Sequence, residues 1–274
     1  MVRCKELFRN ILRKLFRGMI KIVWEYDIGQ ADRTSEAYPR RLHSIAGAPD
    51  CLYYRGNIEC INQNYSIAVI GSRRVSEYGR TLAYQIGYAL GRRGINVVNG
   101  LALGCDTYAL CGALAAGGTC VAVMPCGLER IVPQSNTILA EKLLSNGGCL
   151  VSEYPLSVPV LRYQYVERDR IQSGISDGVL VIEAAMDSGT MHTVRYAVRQ
   201  GRALACIGSQ LVQYHSGNQW IEGQNGACVI RETGDLDCFI TAIQQQMVYR
   251  QMTLEMAVNS NKTGMCDETQ GVSN

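Results

Sequence analysis

From Ser66 onward, short uninterrupted apolar runs alternate with amphipathic stretches, and glycines punctuate the junctions. The stretch "SIAVIGSRRVSEYGRTLAYQIGYALGRRGINVVNGLALGCD", Ser66 to Asp106, shows the unit: strand, glycine turn, helix, strand, glycine turn. Apolar runs without alternation suit strands buried on both faces, as a parallel sheet requires. The spacing predicts strands over 66–70, 95–99, 119–124, 149–152, 177–183 and 203–207. It predicts helices over 79–93, 106–116, 135–145, 163–173 and 190–200. Regular strand–helix alternation implies a doubly wound α/β sheet. Gly94, Gly118 and Gly201 fall between a helix and the next strand, where a left-handed helix stop is expected.

The flanks read differently. Residues 4–25 carry Phe8, Leu12, Leu15, Phe16, Met19, Ile20 and Val23 at helical spacing, with Arg9, Arg13, Arg17 and Lys21 on another face. A short basic amphipathic helix is expected there. The polar segment "GQADRTSEAYPRRLHSIAGAPD" reads as a connector. Residues 235–257 look helical, and the polar tail after them is expected to be disordered. The organisation expected is 1–37 helix and connector, 38–233 Rossmann-like domain, and 234–274 helix and tail.

Composition narrows the function. A chain of 274 residues with 47% hydrophobic content can build a large core. Its formal net charge of only +3 means that any nucleic-acid site must be a local basic patch. Charges interrupt every apolar run at the N-terminus, so neither a signal peptide nor a membrane span is expected, and the cytoplasm is the expected location. The 12 cysteines include no CxxC pair. In runs such as "GGTCVAVMPCG" they read as small buried hydrophobes of a reducing compartment, and no metal is expected.

Ligands of open parallel sheets bind at the carboxyl ends of the strands. Four segments belong there: "GSRRVSEYG" (Gly71–Gly79), "NGLALGCD" (Asn99–Asp106), "MPCGLER", and "DSGTMHTVRYA", in which Ser188, Gly189 and Thr190 open a helix. Glycine turns entering helices suit a phosphate-bearing ligand. No GxGxxG or GxxxxGK[ST] is present, which argues against a dinucleotide or P-loop site. "GISDG", Gly174 to Gly178, fits GxSxG, but a helix precedes Ser176 and a strand follows, the reverse of a nucleophile elbow. His192 is expected to be a partly exposed helix residue near the pocket. Tyr78, Tyr163 and Tyr165 lie near the same loops, where they either pack or stack bases.

The motifs "AVIGSR", "NGLALGCDTYALCGALAAGG", "CGLERIVPQSN", "VSEYP", "RDRIQSGISDGVLVIEA", "SGTMHTVRYAVRQGRALACIG" and "GNQWIEGQNGA", in this order, resemble the DNA-processing protein A family (DprA, also called Smf). Residues 38–57 resemble the family's lead-in. The resemblance covers about residues 38–230. It implies an extended Rossmann-like fold that binds single-stranded DNA and helps load a RecA-type recombinase, in recombination and natural transformation. It also implies a homodimer with no cofactor and no chemical step. Carried over by residue, Gly71, Ser72 and Arg73 match the first phosphate turn, Arg168 and Arg170 the R-N-R motif, and Gly189 and Thr190 the helix-opening turn. With Arg74 of the first turn and Gly100 and Gly104 of the second, these form the candidate DNA- and phosphate-binding set.

Three departures lower positive charge. Leu103 replaces an arginine, Leu110 a histidine, and Asp169 the asparagine between the two arginines. They leave open a small-nucleotide sensor on the same scaffold. At this length, the C-terminal winged-helix module of many relatives is not expected. A nucleoside-monophosphate hydrolase is a further alternative, but the GGxGTxxE turn of those enzymes is absent and Thr193 stands near where the glutamate belongs. Glu183 is the one carboxylate expected at the pocket edge.

Overall fold

The computed structural model describes residues 26–246. The chain divides into two compact units, one running to Arg231 and one starting at Glu232. The expected helix over 4–25 and the tail lie outside the described residues. In the second unit, residues 233–246 are helical.

The first unit is built on one nine-stranded sheet. Its centre consists of β3 (Ser66–Ile70), β4 (Asn96–Asn99), β5 (Cys120–Val123), β6 (Cys149–Ser152) and β7 (Gly178–Val181), every residue of which is buried. With β8 (Ala203–Ile207) and β9 (Cys228–Ile230) they pair in parallel. Strands covered on both faces gain nothing from alternation, which is why the runs are apolar throughout.

The connecting helices are α2 (Glu77–Arg92), α3 (Cys105–Ala115), α4 (Thr137–Ser145), α5 (Arg162–Gly174) and α6 (Thr190–Arg199), preceded by a single turn, α1 (Cys60–Gln63). A short helix, α7 (Ser216–Glu222), precedes β9. Helices α2 and α3 pack closely because Gly87 and Gly112 bring backbone onto backbone. A Cβ at Gly87 would stand 2.0 Å from the Ala109 carbonyl oxygen, and one at Gly112 2.0 Å from that of Tyr84. Helices α5 and α6 pack together, and Ile171, Met191, Val194 and Ala197 share a core with Ala68, Ile70, Val98, Val179 and Val181.

The strand order is β1-β2-β6-β5-β4-β3-β7-β8-β9. From β3 the chain winds outward through β4 and β5 to β6, then crosses back to β7 on the other side of β3. The winding therefore reverses between β3 and β7. Loops there leave on opposite faces and open a crevice at the carboxyl ends of the strands.

The segment expected to be a connector contains structure instead. Strand β1 (Ile28–Asp32) pairs antiparallel with β2 (Cys51–Gly56), which pairs antiparallel with β6. Between them, Tyr38 and Leu42 are buried in the core. Arg41 binds the buried Asp177 at 2.6 Å, and Asp177 also accepts the Ser66 amide at 2.8 Å. The edge strand β1 and the adjoining β2, both of mixed burial, lack the continuous apolar signature, so the sequence did not reveal them.

Candidate nucleic-acid cleft

The crevice at the β3/β7 reversal is a cleft of about 400 Å³. The turn after β3 supplies Gly71, Ser72, Arg73 and Arg74, and the β4–α3 turn supplies Ala102 and Asp106. Helix α5 adds Tyr165, Arg168, Asp169 and Gln172, and the opening of α6 adds Ser188, Gly189, Thr190, His192 and Thr193.

Gly71 is glycine for packing, since a Cβ there would stand 2.5 Å from the Cys105 sulfur and 3.0 Å from the Glu183 carbonyl oxygen. The Ser72 amide donates to that same carbonyl at 2.7 Å, and the Arg74 amide donates to Ser72 Oγ at 3.0 Å. Both amides thus serve the turn itself. What the turn presents is its side chains. Arg73 and Arg74 are exposed, and neither is ion-paired among the described residues. The Arg73 guanidinium lies over the Tyr165 ring, 5.3 Å from its centroid.

The second turn is also filled from within. Asp106 is buried and accepts the amides of Gly100 at 3.0 Å and Ala102 at 3.3 Å. Asn99 Oδ1 takes the Leu101 amide at 3.0 Å. This bond helps hold Leu101 in a left-handed conformation, φ 56°, which costs a non-glycine residue about 1–2 kcal/mol. Gly104, at φ 82°, packs on the first turn, where a Cβ would stand 2.3 Å from the Ser72 carbonyl oxygen. Gly100 and Gly104 therefore serve packing and are not cleft residues. Leu103 is half exposed on this turn and also does not line the cleft.

Arg168 reaches across the strand ends, and its Nη1 donates to the Val123 carbonyl at 2.9 Å. Its Nε lies 3.1 Å from Asp169 Oδ1, close enough for an ion pair but off the line of a hydrogen bond. Arg168 and Asp169 are both buried. Burial pushes the Asp106 carboxyl up to about 6, against the opposing pull of Arg168 and of the turn amides. Burial likewise pushes Asp169 up to about 6, against Arg168, a side-chain hydrogen bond with Thr193, and Arg73.

Arg170 is not brought to the cleft. Its Nη1 donates to Glu153 Oε1 at 2.8 Å, its Nη2 pairs with Oε2, and its Nε donates to the Gly47 carbonyl at 2.8 Å. It braces α5 against the segment after β6. Glu183 is also absent from the cleft wall. It is fully buried, accepting Ser76 Oγ at 2.6 Å and the Tyr214 amide at 3.2 Å, and it closes the start of α2. The carboxylates that line the cleft are Asp106 and Asp169. Asp106 could have been suspected, because an aspartate two residues after a glycine turn can fold back on the turn's amides. Ser176 is buried and donates to the Gln172 carbonyl at 2.8 Å, in a turn between helix and strand as expected.

The opening of α6 remains available. The amides of Met191 and His192 donate back to Ser188 and Gly189, whereas those of Gly189 and Thr190 have no acceptor among the described residues. A Cβ at Gly189 would meet nothing within 4 Å. At Gly100 it would fall 1.5 Å from Arg168 Nη1. Gly100→Ala is therefore expected to lower stability by about 1–2 kcal/mol through displacement of Arg168. Gly189→Ala should stay within about 0.5 kcal/mol of the wild type. Denaturant unfolding of the two variants checks this contrast.

Among the described residues no helix is long and apolar enough to cross a membrane, and no three His, Cys, Asp or Glu side chains gather to hold a metal ion.

Comparison with known proteins places this architecture. The family model for DNA recombination-mediator protein A matches residues 31–240. Protein Smf of Escherichia coli is 38% identical over 203 residues, 74% of this chain and 54% of its own length. This chain thus spans about half of that relative. DNA processing protein DprA of Bacillus subtilis is 28% identical over 77% of this chain and 71% of its own. Among solved structures, DNA processing protein A of Streptococcus pneumoniae superposes with a TM-score of 0.70 at 29% identity, covering 84% of this chain and 77% of that one. DNA processing protein A of Helicobacter pylori gives 0.71 at 23% identity, covering 81% and 98%. The chain belongs to the DNA recombination-mediator protein A family, DprA/Smf.

Proposed function

We propose that this chain binds single-stranded DNA in the β3/β7 cleft and promotes loading of a RecA-type recombinase onto it, acting in the cytoplasm as a homodimer and without a chemical step. The observation that carries the binding step is the cleft itself. Arg73 and Arg74, neither ion-paired among the described residues, line it together with Gly189 and Thr190, whose amides have no acceptor there. Guanidinium groups and helix-opening amides both hold phosphate. Tyr165 lines the wall, and the exposed Tyr78 and Tyr163 stand at the starts of α2 and α5. Phosphate donors beside aromatic rings suit a strand whose bases are free to stack. The Helicobacter pylori relative has a single-stranded DNA binding mode. Recombinase loading, the dimer and a role in transformation rest on family membership.

The absence of a chemical step has its own support. Asp106 is engaged by turn amides, and Asp169 by Arg168 and Thr193. Neither is placed as a free general base.

Fluorescence anisotropy with labelled single-stranded and duplex oligonucleotides, repeated across salt concentrations, tests the reading. Arg73→Ala is expected to weaken single-strand binding about tenfold for all sequences alike. It should flatten the slope of log affinity against log salt by about 0.7, the value of one phosphate contact. If a folded Arg73→Ala protein keeps both affinity and slope, the cleft is not the DNA site. Tight displacement of DNA by free nucleotides would instead favour the small-nucleotide sensor.

A further inference from the structure

The turns that usually receive phosphate in such a sheet are here occupied by the protein's own carboxylates. Asp106, in the first turn of α3, accepts the amides of Gly100 and Ala102 in the β4–α3 turn. Glu183 closes the start of α2 through Ser76. Among the described residues the opening of α6 keeps backbone donors for an outside anion, beside the side chains of Arg73 and Arg74. The charges lining the cleft are Arg73, Arg74 and Arg168 against Asp106 and Asp169, a formal excess of one positive charge.

We propose that the cleft is charge-selective: it accepts the monoanionic phosphodiester of an internal nucleic-acid linkage and rejects dianionic phosphomonoesters and nucleoside polyphosphates, with Asp169 and Asp106 as the residues that discriminate. The inference rests on the cleft being the DNA site. One phosphodiester balances the excess charge. The second charge of a phosphomonoester, or a second phosphate, meets two carboxylates already held in place. Asp106 is held at the cleft wall by the turn amides, and Asp169 stands in an ion pair with Arg168 beside Thr193. The order of preference is the reverse of that at an ordinary basic patch, where added ligand charge strengthens binding. The selectivity would keep free nucleotides from competing with a DNA strand.

The test compares two probes that differ by one methyl group and one charge, thymidine 5′-monophosphate and its monoanionic methyl ester, as competitors of a fluorescent oligothymidylate. Near neutral pH the methyl ester is expected to compete at roughly tenfold lower concentration, a ratio set by one unit of charge at an intermediate effective dielectric. The triphosphate should be weakest. Asp169→Asn should improve the monophosphate more than the ester and bring the ratio towards one.

Acidification should act in the same direction. The second ionisation of a phosphomonoester lies near 6, so below about pH 6 both probes carry one charge. Around Asp169 the groups that matter are Arg168 on its own helix, Arg73 from the first turn, Thr193 from α6 and Asp106 from α3. Arg74 and His192 complete the charged and titratable lining beside Tyr165.

A monophosphate that competes as well as the ester at neutral pH overturns the proposal. So does a ratio that Asp169→Asn leaves unchanged in wild-type-like folded protein. If the ester fails to compete while DNA binding still depends on Arg73, the charge selectivity is wrong and the DNA reading stands. If DNA binding ignores Arg73, both fall.

Discussion

Arg168→Ala is expected to lower the unfolding free energy by about 3–5 kcal/mol near pH 8, because it strands two buried carboxylates. Arg168 is the group that pulls both Asp106 and Asp169 back towards ionisation. The pH dependence separates this charge effect from lost packing. Both carboxyls titrate near 6 in the folded protein, against about 4 in an unfolded chain. Between those values the folded state binds more protons, so the contribution of these groups to stability falls as pH rises from about 4 to 6 and stays at its least favourable above that. Without Arg168 both carboxyls rise further, and the cost at pH 8 grows. At about pH 5 they are neutral in the variant, and most of its deficit should disappear. Adding Asp169→Asn to Arg168→Ala should recover part of the loss near pH 8. Urea unfolding across this range measures it, and a deficit constant with pH would assign the effect to packing alone.

Arg170→Ala is expected to lower stability by about 3 kcal/mol and to leave the salt dependence of DNA binding unchanged. Its guanidinium forms a two-pronged pair with Glu153, the two side chains being 12% and 15% exposed. Removing it leaves a largely buried carboxylate without its cation. It also frees the Gly47 carbonyl, so the segment between β1 and β2 should lose protection from hydrogen exchange. The Arg170→Ala/Glu153→Ala double variant is expected to cost less than the sum of the two single variants, because each single change strands a charge. The contrast with Arg73→Ala is sharp: one arginine should change the salt slope with little loss of stability, the other the reverse. A lower salt slope in folded Arg170→Ala would return this residue to the DNA site.

The two arginines show how far the motif could be read. Resemblance placed Arg168 and Arg170 together as phosphate ligands. Helix geometry separates them, since two residues on an α-helix differ by about 200° around its axis. On α5 one faces the cleft and the other faces away. That rotation was available from the predicted helix over 163–173. That Glu153, after β6, would be there to meet Arg170 was not.

The parallel core was legible because its physics is local. Continuous apolar runs, helical periodicity and the glycine stops at Gly94 and Gly201 are written along the chain, though after α3 Gly117 and not Gly118 is the left-handed stop, and each strand from β3 to β8 lies within a residue or two of its expected place. The glycine turns were legible for the same reason, as was the choice of the strand ends for the site. The edge strand β1 and its neighbour β2 were not, since short strands of mixed burial carry little periodic signal. Nor was the state of the phosphate turns. Whether a turn amide faces a ligand or a buried carboxylate depends on which side chains the fold brings within hydrogen-bonding distance. At Gly100 and Ala102 that is Asp106, and at Ser76 it is Glu183, 107 residues further along the chain. Composition and spacing alone determined a doubly wound sheet with glycine turns at the carboxyl ends of its strands. Long-range packing decided which positive charges remain free there, because it brings Asp106 to Arg168 and Glu153 to Arg170 and leaves Arg73 and Arg74 without an ion pair among the described residues.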